Sequence, residues 1–336
     1  MTRFTLRPLW QALSLAAVLC LAGHAQAAVF MDPAMQQALE ADLDDELLAL
    51  ARARIKTDAT DPQGLAATAL LAIQDADAAK LEAQALSLQQ CVERHPRAAV
   101  CHFVLGQVLG SQAMAGGMMK AMTLTGRIKE SFQKALALEP QSYEARDALQ
   151  QFYLMAPGIA GGSTSKARAL ADEVRESQPE QAQLLRARLL HNDGDTAGAE
   201  REIKAFTPGR DAALNKAWAQ AWLALGLSYL QDKQPGKARA WLEPLTKTQP
   251  QSAYGFFGLA RVAAAEQRWD ESARAFEQAR GLEGARALPI DYRLGLMLQA
   301  KGDKPQAKAA LERYLAGKSP SRRLAEDARK RLAELG

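Results

Sequence analysis

The chain has 336 residues, a formal net charge of +4, and 48% hydrophobic but only 6% aromatic residues. That length allows two ordinary domains or one long array of repeats, and the abundance of Ala, Leu, Gln, Arg and Glu favours helices. The nearly balanced charge excludes the strongly basic footprint of a nucleic-acid-binding protein.

The first 27 residues have the pattern of a secretion signal. Arg3 and Arg7 precede an apolar run over residues 12–22, and residues 25–27 form a cleavage motif of the A-x-A type. The run is too short to span a membrane. Cleavage removes two arginines and no acid, which lowers the net charge from +4 to +2. We therefore expect export to the periplasm, a mature chain starting at Ala28, and no membrane span in it.

The mature chain is predicted to begin with one helix from Asp32-Pro33 to about Lys56, followed by a linker over residues 57–63. Asp is a good N-cap and Pro suits the first helical turn. The acidic side chains come first and the basic ones last, which complements the helix dipole. The polar face is interpreted as a solvated cap, with partner binding as the alternative. One side of this helix carries its apolar residues: Met35, Leu39, Leu43, Leu47, Leu50 and Ile55.

The mature chain has two cysteines, Cys91 and Cys101, on either side of a short turn at Pro96. Export to an oxidising compartment favours a disulfide between them over two free buried thiols. Closing so short a loop is expected to stabilise the protein by about 3 kcal/mol. A third cysteine, Cys20, raises the alternative of a lipid anchor, although Leu19 before it fits that motif poorly.

Helix pairs are predicted through the rest of the chain, because apolar periodicity recurs between Pro and Gly residues. A last amphipathic helix over residues 321–335 has apolar residues on one face and arginines and lysines on the other, as expected of a terminal cap. The predicted pairs are 64–75 with 78–95, 98–109 with a segment ending at 140, 143–155 with 166–177, 181–192 with 196–206, the two halves of 219–250, and two more before residue 320.

The pair between Ala219 and Pro250 carries the most specific pattern in the chain. It reads W-x2-L-G-x2-Y, with an alanine nine residues after the tyrosine, and it resembles a tetratricopeptide repeat of about 34 residues. The alanines Ala238, Ala273 and Ala307, 35 and 34 residues apart, are expected where paired helices cross. The pattern residues are Trp222, Leu225, Gly226, Tyr229 and Ala238.

The resemblance implies an all-α fold, a tetratricopeptide α-solenoid of six or seven stacked antiparallel helix pairs in a right-handed superhelix with capping helices. Such arrays bind proteins or peptides along an inner face lined by the first helix of each pair. The expected regions are 1–27 (signal), 28–62 (N-terminal helix and linker), 63–180 (degenerate units with insertions), 181–320 (regular units) and 321–336 (cap). The candidate partner-binding residues on the inner face are Asn215, Gln220, Ser228, Tyr254, Arg261, Tyr292 and Arg293.

One unit is longer than the repeat allows. Gly106 and Ala135 are 29 residues apart where the pattern has 19, so longer helices or an extra half-turn should protrude from the array. Four methionines in this insertion suit an adaptable partner-binding surface. The alternatives are ordinary packing and, together with His102, a soft metal site. The methionines are Met114, Met118, Met119 and Met122.

A glycine-rich loop interrupts the next unit. The segment over 152–163 is similar to an F-Y-x-x-A-P-x-I-x-G-G-S segment in a subgroup of exported proteobacterial repeat proteins. The loop precedes a helix, whose free N–H groups can hold an anion. The alternative is a simple N-cap, with glycines that let the loop fold back. The candidate anion-loop residues are Gly161, Gly162, Ser163, Thr164 and Lys166.

No catalytic motif stands out. The three histidines of the mature chain are scattered, and no P-loop, HExxH or G-x-S-x-G pattern is present. We predict no cofactor and no metal. The first functional hypothesis is a non-catalytic envelope scaffold that binds a protein or peptide. The others are an anion-binding protein that uses the glycine loop, and a divergent enzyme or the accessory subunit of one.

Overall fold

The computed structural model describes residues 28–75, 77–317 and 322–336, so the secretion signal lies outside the described residues. Within these ranges the chain forms sixteen α-helices and no β-strand. The helices are α1 Pro33–Glu40, α2 Asp44–Thr57, α3 Pro62–Asp75, α4 Ala78–Arg94, α5 Ala99–Leu138, α6 Tyr143–Met155, α7 Thr164–Asp172, α8 Pro179–Asn192, α9 Thr196–Ala205, α10 Ala212–Gln231, α11 Pro235–Thr248, α12 Ala253–Ala265, α13 Trp269–Arg280, α14 Ile290–Lys301, α15 Lys304–Ala316 and α16 Arg322–Leu335.

From α3 to α15 the helices form antiparallel pairs, and α5 supplies both members of its own pair. It bends back at Gly117, which has a left-handed φ of 76°. Phe103 and Phe132 consequently face each other with ring centroids 6.3 Å apart. The described residues thus contain seven pairs, capped by α16 at the C-terminal end. The all-α tetratricopeptide fold is confirmed.

The first helices of successive pairs form one continuous layer. Helix α6 contacts α8, α8 contacts α10, α10 contacts α12, and α12 contacts α14. The second helices α9, α11 and α13 pack mainly on the first helices beside them. Because the first helices lie closest to one another, their exposed side chains line the inner face of the array.

Close helix crossings follow the repeat pattern. A Cβ on Gly226 would lie 2.7 Å from Leu242, and one on Gly295 would lie 2.7 Å from Leu311. Ala238 and Ala307 are fully buried at their crossings, as predicted. The prediction of Ala273 was one residue off. Ser272 is the fully buried residue there, and its hydroxyl donates to the carbonyl of Ala260 at 2.8 Å, which satisfies the buried oxygen.

The single N-terminal helix predicted from 32 to 56 was wrong. The chain breaks after α1 and restarts at Asp44, and Asp42 has a left-handed φ of 54°. Asp is among the few residues that adopt this conformation readily. Leu43, expected on the apolar side, is therefore exposed, whereas Leu47 stays buried.

The insertion and the cysteines behave as predicted. Both halves of α5 are lengthened, and their tip carries the methionine cluster. Cys91 at the end of α4 is bonded to Cys101 at the start of α5, with the two Cα atoms 6.1 Å apart. In the next unit α7 ends at Asp172, five residues before the predicted end.

Candidate partner-binding site

Two arginines from successive first helices dominate the inner face. Arg261 lies on α12 and Arg293 on α14, and both are partly buried. No carboxylate within the described residues pairs with either guanidinium, and the buried Nε of Arg293 has no hydrogen-bond partner. The Arg293 guanidinium lies over the Tyr292 ring, 5.5 Å from its centroid. We refer to Arg261 and Arg293 as the arginine pair.

The arginine pair is electrostatically unfavourable in the free protein. Burial, and then the positive charge of Arg293, lowers the pKa of Arg261 to about 10. Arg261 therefore remains protonated at neutral pH. Two partly buried cations that have no carboxylate partner among the described residues lower the stability of the fold, and an anion beside them would offset that cost. Arginine is also suited to bidentate binding of a carboxylate.

Polar side chains extend this face towards the start of α10. Gln220 donates to the Tyr254 hydroxyl at 2.9 Å, which links α10 to α12. Lys216 lies one turn before Gln220 on the same helix face. Tyr254 is 3% exposed, so it forms a wall of the face rather than a free contact. Lys216 was missed in the sequence, because the repeat pattern does not assign a role to that position.

Three of the predicted contact residues instead have structural roles. The side chain of Asn215 is bonded to both backbone groups of Gly209, at 2.8 and 3.0 Å. The Ser228 hydroxyl donates to the Leu225 carbonyl at 2.8 Å within its own helix. Tyr292 is buried against Tyr314, and its hydroxyl donates to Asp327 of α16 at 2.7 Å. These contacts leave Gln220, Arg261 and Arg293 as the predicted residues with groups available to a partner.

The methionine tip of α5 is separate from this face. Met114, Met118 and Met119 are 79%, 76% and 81% exposed, and Met122 is 39% exposed. His102 is buried, and its Nε2 lies 3.1 Å from the Pro96 carbonyl. It is also twelve residues before Met114, roughly 18 Å along a helix. The structure therefore does not bring His102 and the methionines together as a metal site.

The glycine loop closes on its own backbone. The Ser163 N–H donates to the Tyr153 carbonyl at 2.8 Å, and the Ser163 hydroxyl accepts from the Lys166 N–H at 3.3 Å. A Cβ on Gly162 would lie 1.8 Å from the Ala156 carbonyl oxygen, so the fold-back requires glycine there. These contacts fit the N-cap interpretation of Ser163, Thr164 and the glycines. Anion binding at this loop stays a prediction.

Glu144 lies in an acidic cluster where the tip of α1 meets α6 and α10. Burial, together with the carboxylates of Asp211, Asp147 and Glu40, raises its pKa to about 7. A carboxyl whose folded-state pKa exceeds the unfolded value stabilises the protein at low pH and loses that contribution as pH rises to the folded pKa. The contribution of Glu144 should therefore disappear between pH 4.5 and about 7.

Substituting this carboxylate should remove that pH dependence. At pH 8 Glu144→Gln should raise the free energy of unfolding by roughly 1–3 kcal/mol, because no charge is then buried. At pH 4.5 the variant and the wild type should be alike. Urea denaturation at both pH values measures the difference. The exposed Glu176→Gln serves as the control, and an equal effect of Glu144→Gln at both pH values would contradict the assignment.

No helix within the described residues is long and apolar enough to cross a membrane. Within the same ranges no group of three or more His, Cys, Asp or Glu side chains converges as a metal site. The fold and its inner face define the chain as an all-α protein of the tetratricopeptide-repeat type.

No family model and no curated protein matches the sequence. Solved structures with a similar fold include the APC/C hetero-tetramer Cut9–Hcn1, with 17% identity over 90% of this chain and a TM-score of 0.44. The chain spans 56% of that protein's length. A tetratricopeptide repeat protein from Parabacteroides merdae is 15% identical, with 79% of this chain and 96% of that one covered and a TM-score of 0.46. Similarity at these identities concerns the fold alone.

Proposed function

We propose that this protein is an exported, non-catalytic scaffold that binds an acidic segment of a protein or peptide on its inner face. The observation that carries the proposal is the arginine pair, because two partly buried cations have no carboxylate partner among the described residues. A bound carboxylate supplies the missing charge and accepts hydrogen bonds from both guanidinium groups. The signal-like pattern of residues 1–27 supports the exported location, and the similarity to the exported proteobacterial subgroup belongs to the same proposal.

The test uses mature protein from the periplasm of its own cells, crosslinked to its neighbours in place. Arg261→Gln with Arg293→Gln should reduce the amount of the captured partner at least about tenfold, since each lost charge-assisted bond contributes roughly 1.5–3 kcal/mol. Arg201→Gln with Arg274→Gln gives the matched control. It removes two exposed charges from the second helices α9 and α13, and should capture as much as wild type.

Stability separates a binding role from a structural one. Because the arginine pair lacks an anion, the double glutamine variant should unfold at the same or a higher denaturant concentration than wild type. Loss of the partner with unchanged stability supports the proposal. Full capture by the variant would contradict it.

The methionine tip is proposed as a second contact surface on the same scaffold. Three adjacent, largely exposed methionines are unusual on a soluble surface and suit adaptable apolar contacts. Replacing Met114, Met118 and Met119 with glutamine should change stability by less than about 0.5 kcal/mol, as for other exposed positions. In the crosslinking experiment, a partner lost from this variant but kept by the arginine variant would assign it to the tip.

A further inference from the structure

The turn between α1 and α2 reaches across to the C-terminal half of the array. We call residues 40–46 the elbow. Lys216 Nζ lies 2.9 Å from Asp42 Oδ1, and the Gly284 N–H donates to Asp42 Oδ2 at 3.2 Å. The Arg286 guanidinium donates to the Asp42 carbonyl and to the Asp44 carboxylate, both at 2.9 Å. Two cations and one backbone N–H, 174 to 244 residues away in sequence, thus hold one acidic turn.

The backbone on both sides of this contact is shaped for it. Asp42 has a left-handed φ of 54°, and in this conformation its carboxylate contacts Lys216 and Gly284 while its carbonyl contacts Arg286. Gly284 has a left-handed φ of 78°, and a Cβ there would lie 2.9 Å from the Tyr254 ring. Only glycine therefore leaves its N–H open to the elbow. We call Lys216, the Gly284 N–H and Arg286 the cradle.

The contact is polar and loosely packed. A cavity of about 270 Å³ lies beside it, lined by Glu40, Asp42, Lys216, Tyr254 and Gly284. The Lys216 and Arg286 side chains are 35% and 57% exposed. By contrast, Leu47 and Ala51 of α2 are fully buried in the N-terminal core. The elbow is thus anchored to the N-terminal repeats by apolar packing, while it contacts the C-terminal ones through partly exposed ion pairs and hydrogen bonds, which salt and water weaken.

We propose that the elbow is a reversible clasp and that the cradle is a binding site for an acidic turn. In the free protein the chain's own elbow fills the cradle and holds the two halves of the solenoid together. A partner protein that presents an acidic turn displaces the elbow, and the array opens. Repeat arrays contact only their neighbours, so they can open by small changes spread over several units.

The clasp controls access to the same inner face. Tyr254, which lies against Gly284, is two helical turns before Arg261, roughly 10 Å along α12. A closed elbow therefore stands at the entrance to the arginine pair. The inference adds an access step to the proposed function, but the contacts that carry it do not include either arginine.

The test measures the distance between spin labels placed on Gln37 of α1 and Gln278 of α13, both exposed. In full-length wild type at low salt we expect one narrow distance distribution. Asp42→Asn keeps the left-handed turn and removes the charge, so a longer distance should appear. Lys216→Gln should have the same effect, and 0.5 M NaCl should open the clasp of the wild type.

The control Glu46→Gln removes a charge next to the elbow contact, and its clasp should remain closed. A closed Asp42→Asn variant at both salt concentrations would overturn the clasp.

A synthetic peptide with the sequence of residues 38–48 tests the cradle as a recognition site. Excess peptide should lengthen the label distance in wild type, and the same peptide with Asn in place of Asp42 should need an about tenfold higher concentration. Equal activity of the two peptides, or none from either, would overturn recognition of the acidic turn. Partner binding at the arginine pair and the elbow clasp can be refuted independently. The arginine-pair variant should lose the partner and keep a closed clasp, whereas Asp42→Asn should open the clasp and keep the partner.

Discussion

Replacing Trp241 with alanine is expected to lower the free energy of unfolding by about 3–5 kcal/mol, the range for deleting a large buried aromatic side chain. The Trp241 ring is 5% exposed and stacks on Trp222 with centroids 4.6 Å apart. Trp241 Nε1 donates to the Trp222 carbonyl at 2.8 Å, and Trp222 Nε1 donates to the Trp241 carbonyl at 2.5 Å. The substitution therefore leaves a cavity and removes one of the two indole hydrogen bonds at once.

Because of where the Trp222–Trp241 pair lies in the array, the lowered stability should also change the cooperativity of unfolding. Trp222 lies on α10 and Trp241 on α11, the fifth of the seven helix pairs. Trp218 continues the stack towards Phe206, with centroids 4.9 Å from Trp222 and 5.9 Å from Phe206. Stability in a repeat array is a sum of units and the interfaces between neighbours. Weakening the α10–α11 pair should therefore uncouple the repeats on its two sides, so that the single unfolding transition becomes two.

Urea denaturation followed by circular dichroism measures both effects. Trp241→Phe gives the matched control, because it keeps most of the ring and loses only the N–H donor. It should lose about 1–2 kcal/mol, the cost of one buried hydrogen bond together with some packing. A loss below about 1 kcal/mol in Trp241→Ala would contradict the role assigned to the stacked pair.

The sequence predicts this region well because its pattern is local. Trp222, Leu225, Tyr229 and Ala238 are all buried, as their spacing on one helix and the next requires. Trp241 was not singled out, since the repeat pattern leaves its position open. Its partner lies nineteen residues away, and nothing in the spacing indicates that the two indoles exchange hydrogen bonds.

The inner face was predictable as a surface but not in its chemistry. Repeat periodicity places Arg261 and Tyr292 on first helices, yet it does not say that α16 covers Tyr292. That contact requires Asp327, 35 residues further along the chain. That no acid of the described residues pairs with Arg261 is likewise a property of neighbouring repeats. Single-helix periodicity carries no information about it.

The elbow was the least predictable feature. From Asp32 to Lys56 the sequence reads as one amphipathic helix, because each apolar residue falls on the same stripe. At the break Asp42 instead contacts Lys216 and Gly284, which lie 174 and 242 residues further along the chain, so no local pattern reveals them. Local propensity at Asp42 permits a left-handed residue and the acids after it permit a new helix start. Neither demands the break.

Replacing both cysteines with alanine is expected to cost about 3 kcal/mol, because the disulfide closes a loop of some ten residues in the unfolded chain. The bond joins the end of α4 to the start of α5, beside the apolar contacts of Leu88 and Val104. In a repeat array the loss of stability should remain close to the disulfide, because each repeat contacts only its neighbours. Hydrogen exchange should therefore quicken in α3, α4 and the first half of α5, and stay unchanged in α12 to α15.

Reduced wild-type protein is the matched comparison for the Cys91→Ala, Cys101→Ala variant. Reduction and substitution both remove the cross-link, but only substitution also removes two buried sulfur atoms. Reduction of the wild type should therefore reproduce most of the loss of stability. The same protection of α3 to α5 in oxidised and reduced wild type would refute the stabilising role. Because α2 packs on α3, a loosened N-terminal unit should also carry the elbow away from the cradle. The label distance between Gln37 and Gln278 should then broaden on reduction, which connects the disulfide in the N-terminal repeats to access at the inner face.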